Sequence, residues 1–211
     1  HACSAPPKGR PTMAHTPSPQ RPPAAQTNLS KNDILSSSAI RCLEGIDPLA
    51  PPDAGEVERQ LISRTNILLA DQNHHRQSRD KFSMLKQLAF SQIAQILIGL
   101  HRVVRIAPSG KNTDRDYDLL AIYMSEGDDE GIYATSEDQI RSIARKYNRE
   151  LTINGAREVM TVLREEAPRV VRCTERDLIA VDNGIFDYVT KELHPIDPDL
   201  VFLSKSRVPY D

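Results

Sequence analysis

Apolar positions recur along this chain in two rhythms, and the change from one to the other marks its elements. Phe82, Leu85, Ala89, Ile93, Ile96 and Leu97 stand at i, i+3, i+4 steps, with Ser91, Gln92 and Gln95 beside the stripe. That spacing predicts an amphipathic helix, and Gly99 is placed to end it as a left-handed cap. The rhythm then becomes β-like through Val103, Val104 and Ile106. After a loop over 108–113, strands are predicted over 119–124 and 131–134, joined by the acidic tip 125–130. Together they form a three-stranded antiparallel meander that would bury Val104, Ile106, Leu120, Ile122 and Ile132 on one face, against the helix.

Helical spacing returns twice. Thr135 and Ser136 precede Glu137 and Asp138, a helix start with acids in its first turn, and Ile140, Ile143, Ala144 and Tyr147 form its apolar stripe. Asn148, Arg149 and Glu150 break it. Thr152 then caps a second helix carrying Ala156, Val159, Met160 and Leu163, which ends before Pro168. Upstream, Asp53 and Glu56 make a capping-box-like start to a helix bearing Val57, Leu61, Leu68 and Leu69. The polar run 71–81 breaks that pattern. The fold class expected is α+β: helices on a small antiparallel meander, a C-terminal β-hairpin and a disordered N-terminal tail.

Composition sets the limits of the folded part. Residues 1–31 hold seven of the fifteen prolines, with Lys8, Arg10, Arg21 and Lys31 and no acid, so they cannot bury enough apolar surface to order themselves. The organisation expected is a proline-rich leader over 1–52, a linker helix over 53–79 and a folded domain over 80–211. The chain opens on His1, so the sequence starts within a longer frame or Met13 is the natural start. Cys3, Cys42 and Cys173 are odd in number and scattered, which fits neither a disulfide framework nor a zinc site and suits a reducing compartment. No apolar run reaches the length of a membrane span. The formal net charge of -2 leaves partners open, because a sum conceals any basic face.

Several apparent catalytic motifs fail on their own chemistry. Ser109, Gly110 and Lys111 resemble the end of a phosphate-binding loop, yet Asn112 follows where Ser or Thr is needed and Arg105 stands at the place of the first glycine. Asp114, Asp116 and Asp118 alternate like a calcium loop or the metal-binding aspartates of a nuclease or primase. Leu119 and Ser125 stand where a calcium loop needs glycine and glutamate. His74 and His75 project about 100° apart if helical and lack a third ligand. His101 and His194 have no nucleophile at a recognisable spacing and read as polar strand ends. No catalytic residue and no metal site is assigned. The two paired helices allow a helix-turn-helix whose second helix would face DNA with Asn154, Arg157, Thr161 and Arg164, although Glu158, Glu165 and Glu166 would meet phosphates badly.

The densest signal lies at 183–205, NGIFDYVTKELHPIDPDLVFLSK. Leu178 to Val181 is a strand, Asp182, Asn183 and Gly184 tolerate a kink, and Ile185, Phe186 and Tyr188 resume the strand. Residues 189–192 can turn, and Pro195 and Pro198 forbid a central strand beyond Leu193.

This string resembles the segment just upstream of the superfamily 3 helicase core in phage, plasmid and poxvirus-type primase-helicases. The positions that carry the resemblance are Asn183, Gly184, Phe186, Asp187, Thr190, Leu193, Pro195, Pro198, Phe202, Ser204 and Lys205. It extends weakly from about residue 85 and well from Ala167. The resemblance implies a non-catalytic accessory domain that forms a collar on a ring-shaped, hexameric ATPase and engages single-stranded or forked DNA in replication. It also implies that ATP and magnesium belong to a helicase core beyond Asp211, and that the protein works in the cytoplasm of a bacterial host. The basic residues expected to touch the DNA backbone are Arg141, Arg145, Lys146, Arg157, Arg164, Arg169 and Arg172, all in or after the two paired helices. A stand-alone helix-turn-helix regulator and a metal-dependent nuclease or primase using Asp114, Asp116 and Asp118 are the alternatives.

Overall fold

A computed structural model of the chain describes residues 29–48, 50–108 and 114–210. The proline-rich run before residue 29 and the loop holding Ser109, Gly110 and Lys111 lie outside the described residues. The fold is α+β. Among the described residues, five α-helices pack together beside a mixed four-stranded sheet, and a separate three-stranded antiparallel sheet follows at the C-terminal end.

The first helix, α1 (Lys31–Leu43), stands inside the segment expected to be leader. Ser30 and Asp33 close a reciprocal capping box at its start, and Ile34, Leu35, Ser38, Ala39 and Cys42 are its buried face. Small and polar residues make up much of that face, which hides its rhythm from a hydrophobic scan. The second helix, α2 (Ala54–His74), is capped by Asp53 as expected. It is a core helix and not a linker: Val57 and Leu61 are fully buried in the main apolar cluster with Ile93, Ile96 and Leu97 of α3 (Phe90–His101). A buried hydrogen-bond network joins the three helices. Gln92 donates to Thr65 at 2.9 Å and to Ser38 at 3.2 Å, and the two hydroxyls lie 2.8 Å apart.

Residues 82–89, expected to open α3, are instead irregular, with a bend at Lys86 and Gln87. Asn73 donates to the Phe82 carbonyl at 2.9 Å and accepts from its N–H at 2.7 Å; Asn66 does the same to Leu85 at 3.0 and 2.7 Å. These side-chain amides supply the hydrogen bonds a helix would have made internally, and Leu88 is buried. The other end of α3 also moves. Gly99 lies within the helix, where an added Cβ would stand 3.3 Å from Leu43, so its smallness serves the approach of α1. The left-handed residue is Arg102 at φ 47, with Val103 N–H donating to the Leu97 carbonyl at 3.1 Å as in a Schellman turn. A side chain there costs about 1 kcal/mol relative to glycine.

Strands β1 (Val104–Ala107), β2 (Leu119–Tyr123) and β3 (Tyr133–Ala134) form the expected meander. A strand with no sequence forecast, β4 (Arg169–Val171), pairs parallel to β1, so the order is β3-β2-β1-β4. The helices α4 (Glu137–Tyr147) and α5 (Ile153–Glu166) form the crossover between β3 and β4. The expected single buried face divides in two, because Val104 pairs with Ala121 and Arg105 with Leu120. Leu120 and Ile122 therefore face the helices, whereas Val104, Ile106, Ala121 and Tyr133 face a second cluster closed by Val201.

Val201 belongs to a strap over 195–206. It is tied down by the Tyr133 N–H to the Phe202 carbonyl at 2.8 Å, and by the Cys173 N–H to the Val201 carbonyl at 2.8 Å. Before the strap comes the second sheet, β5 (Leu178–Val181), β6 (Gly184–Asp187) and β7 (Glu192–His194). The expected hairpin is thus a three-stranded meander, with Leu193 paired to Phe186.

Candidate nucleic-acid interface

The helices α4 and α5 each bury one stripe and expose another. Ile140, Ala144 and Tyr147 of α4, and Gly155, Ala156, Val159, Met160 and Leu163 of α5, are buried. Ser136 caps α4, and Thr152 caps α5 by accepting from the Gly155 N–H at 3.0 Å. Gly155 has a steric reason to lack a side chain, since a Cβ would sit 2.9 Å from the Phe90 ring. Asn148 shapes the turn between the helices by accepting from the Glu150 N–H at 3.0 Å.

This geometry leaves a groove of about 380 Å³ lined by Asp138, Arg141, Ser142 and Arg145 of α4 and Ile153, Ala156 and Arg157 of α5. Ile153 is 68% exposed, an apolar side chain among three arginines and Asp138. The seven basic residues singled out in sequence divide into two groups. Arg141 donates to Glu137 at 2.7 Å and to Asp138 at 3.1 Å, and Arg164 reaches the same Glu137 from α5. Arg169 grips Asp118 side-on, with two contacts of 2.8 Å, and the Asp118 side chain is 2% exposed. These three guanidiniums are largely neutralised in place, and Arg169 belongs to the sheet.

Arg145, Lys146, Arg157 and Arg172 are exposed, and no carboxylate lies within ion-pair reach of them among the described residues. Arg145 and Arg157 share the groove. Lys146 lies one position further round α4, and Arg172 lines a different cleft with Cys173 and Phe202. Sequence reasoning missed Ser142 and Ile153 as groove residues. Ile153, apolar yet directly after the Thr152 cap and off the buried stripe, was the readable signal. On α5, Asn154, Arg157, Thr161 and Arg164 are all exposed, but Glu158 and Glu165 are exposed with them.

The motif residues at 183–205 hold the C-terminal meander together. Asn183 clamps the Tyr210 backbone in both directions, at 2.8 and 2.9 Å, and Phe186 stacks on the Tyr210 ring at 4.0 Å. The Asp187 carboxylate accepts from the backbone of Val189 at 2.8 Å and Thr190 at 3.2 Å. Those hydrogen bonds, Thr190 foremost, pull its pKa below the ordinary carboxylate value. Lys205, its side chain 5% exposed, pairs with Asp182 at 3.1 Å, and the Pro198 carbonyl accepts from the Tyr133 hydroxyl at 2.9 Å. Gly184 cannot carry a side chain, because a Cβ would lie 2.4 Å from the His194 carbonyl oxygen. Gly184→Ala is expected to lower stability by about 1–3 kcal/mol and to raise hydrogen exchange first in β6 and β7. Exchange unchanged in those strands would contradict it.

The three aspartates do not converge. Asp114 caps a 3-10 turn by accepting from the Asp116 N–H at 3.3 Å, and Asp118 is committed to Arg169. Among the described residues, no group of three or more His, Cys, Asp or Glu side chains is placed to hold a metal ion. His74 and His75 lie at the exposed end of α2, and His194 is exposed on β7. His101, expected at a strand end, closes α3 with its Nε2 2.8 Å from the Tyr147 hydroxyl. Burial, with Lys146 adding to it, pushes the His101 pKa down to about 4, and burial, with a smaller contribution from Asp53, pushes Tyr147 up to about 12.

No family model matches the chain, and no curated protein is significantly similar to it. Among the described residues no helix is long and apolar enough to cross a membrane.

Proposed function

We propose that the chain is a non-catalytic accessory domain of a phage or plasmid primase-helicase, which engages DNA through the α4–α5 groove. The observation that carries the reading is the string at 183–205, whose residues resemble the segment before a superfamily 3 helicase core. Its side chains support that reading by building one compact meander that leads into the strap over the main sheet. Unpaired cations support the DNA role: Arg145 and Arg157 face a groove open to solvent, and Lys146 is exposed one position further round α4. Contacts of this kind are made to phosphates, so they carry little base preference. Assembly into a ring, ATP and magnesium use by a following core, and action in a bacterial cytoplasm belong to the same proposal.

Fluorescence anisotropy with forked and single-stranded DNA tests it at several salt concentrations. Arg145→Ala, Lys146→Ala and Arg157→Ala together should weaken binding and flatten the salt dependence by about 2–3 in slope. Arg169→Ala should leave that slope alone, because its charge is held by Asp118. Unchanged binding in the triple variant would remove the DNA role. A strong preference for one duplex sequence would favour the regulator reading, in which α5 enters a groove of the duplex.

A further inference from the structure

A cleft of about 450 Å³ opens where the end of α3, the outer face of the main sheet and the C-terminal strap meet. Ile98, Val104, Val170 and Val201 give it apolar walls, and Arg102 and Asp199 are the charged residues that line it. None of these residues belongs to the α4–α5 groove.

Arg102 is held there by an unusual backbone. It occupies the left-handed position that ends α3, where glycine is the ordinary residue, and the turn is fixed by the bond from Val103 to Leu97. Its guanidinium also meets the Tyr133 hydroxyl, which lines the same cleft, and is still incompletely used. Nη1 donates to one Asp199 oxygen at 3.1 Å, but the Asp199 side chain is 84% exposed, so water competes for that pair. Nε is closed off from solvent and has no acceptor among the described residues. Asp199 therefore supplies one oxygen to a group whose fork is made for two.

We propose that this cleft binds a small organic carboxylate, aryl or branched-chain, with its apolar body against Ile98, Val104, Val170 and Val201 and its carboxylate on Arg102 in place of Asp199. The volume suits a small molecule and lies within the range of ligand pockets. One guanidinium opposed by one aspartate matches a single negative charge and rules against a triphosphate, whose charge would stay uncompensated beside apolar walls. Displacing Asp199 costs little, since that side chain returns to water, and an entering carboxylate can draw the guanidinium round to satisfy Nε.

Naphthalene-2-carboxylate is a suitable probe, read by calorimetry and by saturation-transfer NMR, with neutral naphthalene-2-methanol as its control. The acid should bind saturably, at least about tenfold tighter than the alcohol. Arg102→Gly places the residue best suited to the left-handed position, so the fold should hold its melting temperature while acid binding falls at least about tenfold. Asp199→Asn, which removes the competing charge, should tighten the acid several-fold. That variant keeps the test alive even if Arg102→Gly misfolds. Equal binding of acid and alcohol, acid binding unchanged in folded Arg102→Gly, no tightening in Asp199→Asn, or no saturation at millimolar acid would each overturn the proposal.

Discussion

Replacing both Asn66 and Asn73 by alanine is expected to lower the stability of the fold by about 4 kcal/mol. Each amide meets one N–H and one carbonyl of the non-helical run at 82–85, four hydrogen bonds between side chain and backbone in all. A net contribution near 1 kcal/mol per bond gives about 2 kcal/mol per asparagine. The two sites lie two turns apart on α2, so their effects should add. The alternative for the freed backbone is to continue α3 upstream, as the apolar rhythm from Phe82 suggests. That would pull Leu88 from its buried site and break the Arg76 contact over the Phe82 ring, 4.1 Å from its centroid. Chemical denaturation of the single and double variants measures the sum, and circular dichroism reports whether helix is gained. A double variant within 1 kcal/mol of the native chain would show that the amides are incidental.

The same segment shows what the sequence could and could not disclose. The α4 and α5 helices were legible because caps, first-turn acids and buried stripes agree there, each local choice supporting the same element. The start of α3 was not, because the non-helical run at 82–89 keeps a helical rhythm by accident and is decided by two side chains from another helix. The α1 helix was hidden by its Ser38, Ala39 and Cys42 face, although Ser30 and Asp33 spell its cap plainly. The β4 strand is three residues long between Pro168 and Arg172, and only its parallel pairing with β1 makes it a strand. The candidate groove divides the same way. Pairing of Arg141 with Glu137 and Asp138 follows from helical spacing and was readable, whereas the Arg164 contact to Glu137 and the Arg169 grip on Asp118 join residues far apart in sequence.

Those contacts change which charges matter. Seven of the basic residues over 141–172, Arg149 not among them, count as equivalent in sequence, but the three that hold carboxylates have already given up much of their counterion release. Their loss should show as stability, and the loss of Arg145, Lys146 and Arg157 as salt-dependent binding. Arg169→Ala would leave the buried Asp118 carboxylate without its bidentate partner, a cost of about 3 kcal/mol, with DNA affinity untouched. A variant series separates the two classes in one experiment.

Acid should weaken the α3–α4 contact well before it reaches the ordinary carboxylate range. In the fold the His101 pKa is pushed down to about 4 from 6.5, chiefly because burial disfavours the imidazolium, with Lys146 adding repulsion. The unfolded chain therefore binds more protons between those values. His101 contributes its full stabilisation of the neutral form above pH 6.5, and that contribution is lost as pH falls through 4. The shift corresponds to about 3 kcal/mol across the window. Tyr147, with its pKa near 12, keeps its proton throughout, and its hydroxyl lies 2.8 Å from Nε2, where a protonated ring can only donate. His101→Gln retains a side chain able to accept that hydrogen bond but cannot charge. Denaturation curves between pH 7 and pH 4 should show the native chain losing about 3 kcal/mol more than the variant, and parallel curves for the two would show that His101 keeps its ordinary affinity for protons in the fold.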